Sequence, residues 1–228
     1  MTPKHHPSTL ALLGCVAAWA LFGTGCATTE TGYHQAERTG DRMAHLRKDI
    51  RDIQSAIDET TEALDAIVAT AETDPRKPFT RFDKAVDNLE TADFKAKRSA
   101  DEMRDEGKLF FELWQLDIAN TRNEDVRKLA ESRKTELSKN FQNISRISVM
   151  VKDDLNPWIS DVRDLHKYLN NDLTPGGISA ASDMIQKYTA RGEAVKKSLN
   201  LLIEELNVVE TSITPARAPS SPAFSAAR

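Results

Sequence analysis

The feature that most constrains this chain is a long alternation of three- and four-residue steps between its apolar positions. Such spacing places the apolar side chains on one side of an α-helix, and its persistence over four heptads is typical of helices that pack along their whole length. We therefore expect a long first helix that buries this stripe against other helices. The stripe consists of Met43, Leu46, Ile50, Ile53, Ile57, Thr60, Leu64, Ile67 and Ala71.

Three further stripes follow, at residues 79–114, 126–169 and 178–213. The segment TDPRKP separates the first two, because two prolines so close together cannot lie inside a helix. Asn123 is a candidate N-cap for the third helix, and Thr174 followed by Pro175 is one for the fourth. Pro157 interrupts the third stripe, which resumes at Ile159. There we predict a kink instead of a helix end.

Four long helices with short connections must fold back on one another as antiparallel neighbours. The predicted fold is therefore all-α, an elongated antiparallel bundle or coiled coil of four long helices, with the third helix kinked at Pro157. The predicted organisation is a signal peptide of the lipoprotein type over 1–25, a lipidated tether over 26–32, a helical bundle over 33–213 and a disordered tail over 214–228.

The first 25 residues indicate export. Lys4 precedes an apolar, small-residue segment that is slightly short for a membrane-spanning helix, which needs about 20 apolar residues. Cys26 at its end is predicted to be the lipidated first residue of a bacterial lipoprotein. Ala27 after the cysteine favours the periplasmic leaflet of the outer membrane. Gly23 and Gly25 also suit a general signal peptidase, so a soluble periplasmic protein is the alternative.

The charge and the cysteine content further narrow the class of protein to which this chain can belong. Acidic residues outnumber basic ones, which argues against nucleic-acid binding. The chain has two cysteines. With Cys15 in the signal peptide and Cys26 acylated, the mature protein could form no disulfide, so its stability must come from packing.

No residue pattern indicates catalysis, a cofactor or a metal. His34, His45 and His166 lie far apart without ligand spacing and are interpreted as surface residues. No nucleophile motif is present, and a body made of heptads offers few loops on which to build an active site. We therefore expect a protein that is not an enzyme.

Three groups of residues are candidate functional sites, and each group also has a simpler structural interpretation. Four aromatic residues could form a ligand box, although their helical spacing favours core. A basic cluster at the first hairpin tip could contact an anionic surface, although a solvated hairpin is favoured. A polar layer could lie about 20 Å below that tip, where a buried carboxylate would need a partner such as Lys152 or Arg191 or would set helix register. The three groups are Phe110, Phe111, Trp114 and Trp158; Arg76, Lys77, Arg81 and Lys84; and Thr60, Asp93 and Gly192.

Two segments, FFELWQLDIANTRNEDVRKLAES and LNPWISDVRDLHKYLNNDL, resemble the bacterial envelope proteins grouped as domain of unknown function 2959. The resemblance implies a helical, often lipid-anchored envelope protein, and it assigns no functional residue. The residues that carry it are Phe111, Trp114, Ile118, Asn120, Arg127, Ser132, Pro157, Arg163, Asp164 and the turn 170–172.

The function expected from these features is that of a non-catalytic envelope lipoprotein, a helical scaffold or binding module for another component of the cell envelope. The alternative is a peripheral membrane-binding or envelope-stress protein that lays an amphipathic helix on lipid. The expected partners are the membrane, through the N-terminal lipid anchor, and a protein or cell-wall component. A homo-oligomer is allowed, and nucleic acid is not expected.

Overall fold

The computed structural model describes residues 32–214, and in that range the chain forms four long α-helices joined by short turns. At 1.5 Å per residue, the shortest helix, of 38 residues, is about 57 Å long, and the longest, of 48 residues, is about 72 Å long. The helices are α1 (Gly32–Ala69), α2 (Arg76–Asn120), α3 (Glu124–Asn171) and α4 (Pro175–Ile213).

The helices pack in a ring, each against its neighbours in the chain, with α4 closing against α1. Polar pairs fix the antiparallel register of α1 and α2. Near the α1–α2 turn, Asn88 donates to Glu59, and further down Ser99 donates to Asp49. The predicted all-α bundle of four long antiparallel helices is confirmed.

The predicted helix starts are confirmed by their caps. The Asn123 side chain accepts hydrogen bonds from the backbone N–H groups of Asp125 and Val126, and the Thr174 hydroxyl accepts from the Gly177 N–H. These bonds satisfy donors that have no partner inside the helix. Helix α3 continues through Pro157, as expected, and the kink there stays a prediction.

The apolar stripes form one continuous core along the bundle. Burying a large apolar side chain contributes about 1.5–3 kcal/mol, so several dozen such positions supply the main stabilisation of residues 32–214, which contain no cysteine. The largest fully buried side chains are Trp158, Phe82, Met43, Ile50, Ile53, Ile57, Leu64, Ile67, Leu89, Ile118, Ile144 and Leu169.

Helix α1 begins well before the first apolar stripe, and its early turns are buried through polar residues. Gln35 is fully buried, and its side-chain amide donates to Glu106 Oε1 on α2 at 2.7 Å. The hydroxyl of Thr39 donates to the Gln35 backbone carbonyl at 2.9 Å. A search for apolar periodicity misses these positions, because these residues are polar. Hydrogen bonds satisfy their polar groups and so allow them to be buried.

At the same end, the α2–α3 hairpin extends past the other two helices. Its last bond to α4 joins Arg133 to the backbone carbonyl of Ser212. Val126 and Leu129 lie beyond that level and are 52% and 72% exposed, although the sequence predicted them as part of a buried stripe. The prediction was wrong here because α1, as the structure describes it, begins and α4 ends too far from this part of α3 to cover it.

The predicted signal peptide, the lipidation site Cys26 and the tail after Thr214 lie outside the described residues. None of the helices in the described part of the chain is long and apolar enough to cross a membrane.

Candidate functional site

A pocket of about 390 Å³ lies at the end of the bundle where α1 begins and α4 ends. All four helices contribute to it, and most of the side chains that line it are apolar or aromatic. The lining residues are Gly32, Tyr33, Gln35 and Ala36 from α1; Phe110, Leu113, Trp114 and Asp117 from α2; Arg133 and Leu137 from α3; and Ser212 and Ile213 from α4.

Aromatic contacts build the α2 wall of this pocket. The rings of Phe110 and Trp114, one helical turn apart, are 5.5 Å apart between centroids. Phe110 also contacts Phe111 at 5.2 Å, and Phe111 meets Phe141 of α3 edge-on at 4.9 Å. These contacts hold the α2 wall in place against α3.

Three of the polar side chains that line the pocket, Gln35, Tyr33 and Arg133, have partners within the protein, and the carboxylate of Asp117 is exposed. The amide of Gln35 is bonded to Glu106, and the Tyr33 hydroxyl donates to Glu37 at 2.7 Å. That hydrogen bond to a carboxylate raises the pKa of Tyr33. The guanidinium of Arg133 donates to Glu136 and to the Ser212 carbonyl. The pocket therefore offers mainly apolar contact to a ligand.

The four aromatic residues that the sequence suggested as a ligand box lie in two different parts of the bundle. Phe110 and Trp114 line the pocket, as a ligand box would require, whereas Phe111 contacts Phe110 and Phe141 and does not line it. Trp158 lies elsewhere, fully buried in the core, where its indole N–H donates to the Tyr188 carbonyl at 2.8 Å. Sequence reasoning missed Tyr33, Leu113 and the end of α4, because only the tertiary fold brings them to the same place.

The predicted polar layer does not form as one layer. Thr60 is buried and its hydroxyl donates to the Ala56 carbonyl, while Gly192 lies against Trp158, Ile57 and Thr61. A Cβ atom at Gly192 would lie 3.1 Å from the Trp158 ring, so glycine makes room for the indole.

Asp93 lies lower in the bundle. The pairs Asn88–Glu59 and Ser99–Asp49 place it opposite residues 54–55 of α1, about 8 Å from the level of Thr60. Its carboxylate, 16% exposed, accepts from Lys97 at 2.7 Å, and not from the Lys152 or Arg191 that the sequence suggested. The prediction assumed that Thr60 and Asp93 lie at the same level because both are about 20 Å from the α1–α2 turn. The two helices pair in a different register, so the layer does not form.

The basic cluster lies at the opposite end, at the turn between α1 and α2, and all four side chains are exposed. Arg76 donates to Asp74, and these hydrogen bonds lower the pKa of Asp74. Arg81 lies 3.8 Å from Glu62. With two of its cations beside carboxylates, the cluster Arg76, Lys77, Arg81 and Lys84 matches a solvated hairpin better than an anion site.

The histidines differ in environment. His34 and His45 are exposed, as predicted. His166 is half-buried: its ring stacks on Phe79 at 5.5 Å, and its Nε2 lies 2.8 Å from Asp83 Oδ1. Its interpretation as a surface residue was wrong, because α3 packs it against the first turns of α2. Within residues 32–214, no group of three or more histidine, cysteine or acidic side chains is placed to hold a metal ion.

Comparison with known proteins gives a family and no activity. The family profile described as "Protein of unknown function (DUF2959)" matches residues 26–216. No curated protein and no solved structure matches the chain.

Proposed function

Because the chain belongs to the DUF2959 family, whose function is unknown, we propose its role from its own residues: it is a non-catalytic envelope lipoprotein whose helical bundle binds another component of the cell envelope. Binding occurs at the pocket end of the bundle. In this proposal Cys26 carries the lipid that holds the protein at the membrane, and the matched family region begins at that residue.

The observation that carries the proposal is the pocket itself. Its volume falls within the range of small-molecule sites, about 300–1,000 Å³, and such sites are usually lined mainly by apolar and aromatic side chains. Asp117 and Arg133 are its charged lining residues, and Arg133 is engaged with Glu136 and Ser212. This lining favours binding over acid–base chemistry, which needs a titratable group held against the reacting atom.

The surface of the rest of the bundle supports the same location. Away from the pocket, the exposed apolar side chains include Phe94 on α2 and Leu201 on α4. Single exposed apolar residues are normal on protein surfaces and require no partner. At the pocket, by contrast, apolar side chains from four helices converge on one cavity.

Photocrosslinking in cells tests the proposal without assuming the class of the ligand. A photoreactive side chain at Leu113 lines the pocket, whereas one at Leu201 lies about 18 Å along α4 from Ile213. We expect a specific adduct, to a lipid, a protein or a cell-wall component, from position 113 and none of the same kind from position 201. Identical adducts from both positions, or none from position 113, would contradict the proposed binding end.

A further inference from the structure

We propose that the pocket receives an acyl chain of a phospholipid from the bilayer in which the protein is anchored. The inference rests on the proposed function and names the ligand of its binding end. Three features support it: the distance of the pocket from the anchor, the apolar hairpin beside it and the polar groups of its lining.

The covalent distance to the anchor is short. Gly32 and Tyr33, at the start of α1, line the pocket, and Gly32 is the sixth residue after Cys26. A fully extended segment of that length spans about 20 Å. An acylated Cys26 therefore keeps the first turn of α1, and the pocket with it, within about 20 Å of the bilayer surface.

The α2–α3 hairpin extends past the pocket at this same end and carries apolar side chains that neither α1 nor α4, as the structure describes them, covers. Leu116 is 59% exposed, and Val126 and Leu129 are exposed on the other arm. Transfer of such side chains out of water is favourable in proportion to the apolar area that leaves it. A bilayer within reach of the tether gives them an apolar environment.

The charges of the hairpin do not select an anionic surface. Between residues 116 and 133, basic and acidic residues are equal in number. Electrostatic attraction to anionic lipid requires an excess of Lys and Arg near the membrane. Contact with the bilayer should therefore depend on apolar burial and hold for zwitterionic lipid.

The lining of the pocket matches an acyl chain. Burying a polar group without a partner is costly, so a ligand without polar groups suits a site where the polar side chains are bonded within the protein or, like Asp117, are exposed to water. The amide of Gln35 is bonded to Glu106, the Tyr33 hydroxyl to Glu37 and the Arg133 guanidinium to Glu136. Around them Phe110, Leu113, Trp114, Leu137 and Ile213 present apolar surface.

Tryptophan quenching tests this inference on the full lipidated protein in phosphatidylcholine vesicles whose acyl chains are brominated. After processing at Cys26, the tryptophans of the chain are Trp114 at the pocket and Trp158 in the core. We expect brominated lipid to remove most of the Trp114 emission. The loss should persist in Trp158→Phe and disappear in Trp114→Phe, so either variant tests the assignment if the other fails to fold.

Two surface variants locate the contact. Leu129→Glu places a charge on the hairpin and should reduce the quenching, whereas Phe94→Glu, on an exposed part of α2 away from the pocket, should not change it. Replacing part of the lipid with phosphatidylglycerol should also have no effect.

Unquenched Trp114 would overturn the inference. It would mean that the pocket is filled by the protein's own acyl group, by residues after Thr214 or by a second copy, or that it stays away from the bilayer. If Trp114 is unquenched while a photoreactive side chain at Leu113 still yields its specific adduct, the acyl-chain inference fails and the proposed binding function remains.

Discussion

Replacing Trp158 with alanine is expected to lower the free energy of unfolding of the bundle by about 3–5 kcal/mol. The indole is fully buried, and its N–H donates to the Tyr188 carbonyl at 2.8 Å. Gly192 lies directly against the ring, which has no space to spare on that side. Truncation therefore leaves a cavity in the core and removes the indole hydrogen bond to the Tyr188 carbonyl, which lies inside α4.

Urea denaturation followed by circular dichroism measures this effect. Trp114→Ala is the matched control, because the same residue type is removed from the half-buried wall of an open pocket, where the cavity already exists. We expect a clearly smaller loss for the control. Equal losses in the two variants, or a loss below about 1 kcal/mol for Trp158→Ala, would mean that the core is not packed around this indole.

Replacing Cys26 with serine is expected to move the protein from the membrane fraction to the soluble periplasmic fraction. Serine has no thiol to receive the lipid, so the variant loses its anchor. The exposed hairpin side chains should not retain it, since even one myristoyl chain gives only marginal, reversible membrane binding.

Fractionation of cells that express each variant checks this prediction. Cys15→Ser is the control, because it removes the other cysteine of the chain and leaves position 26 unchanged. The control should stay in the membrane fraction. Undiminished membrane retention of Cys26→Ser would contradict lipidation at that residue, and solubility of both variants would indicate that the change acts through export.

The fold could be predicted from the sequence because its main determinant is local and repetitive. The stripe that begins at Met43 specifies both a helix and the face that it buries, and Asn123 and Thr174 mark where helices start. These signals depend on spacing within one helix. They hold whatever the neighbouring helices do.

Properties that depend on how two helices meet were harder to predict. Asp93 was assigned to the level of Thr60 from distances along the chain, whereas the register of α1 and α2 places it opposite residues 54–55. Leu129 continued an apolar stripe, but the lengths of α1 and α4 left it exposed.

The pocket had only one sequence signal, the aromatic residues Phe110 and Trp114 one turn apart. Its other walls come from the beginning of α1 and the end of α4, far from α2 in sequence. Gln35 gave no signal at all, because a glutamine in an exposed helix and one buried against Glu106 look the same in a sequence.

The central claim is that the anchored end of the bundle is also its binding end, and the distance of each end from the bilayer tests it most directly. A donor fluorophore is attached at Arg122→Cys, in the α2–α3 turn, or at Glu72→Cys, in the α1–α2 turn, of the lipidated protein, and energy transfer to acceptor-labelled lipid is measured. Both positions are exposed, and acylation leaves no other thiol in the mature chain. We expect strong transfer from position 122 and little from position 72, which lies at the other end of the 45-residue helix α2, about 67 Å farther away along the bundle. Equal transfer from both positions, as for a bundle lying flat on the membrane, or stronger transfer from position 72 would contradict the account.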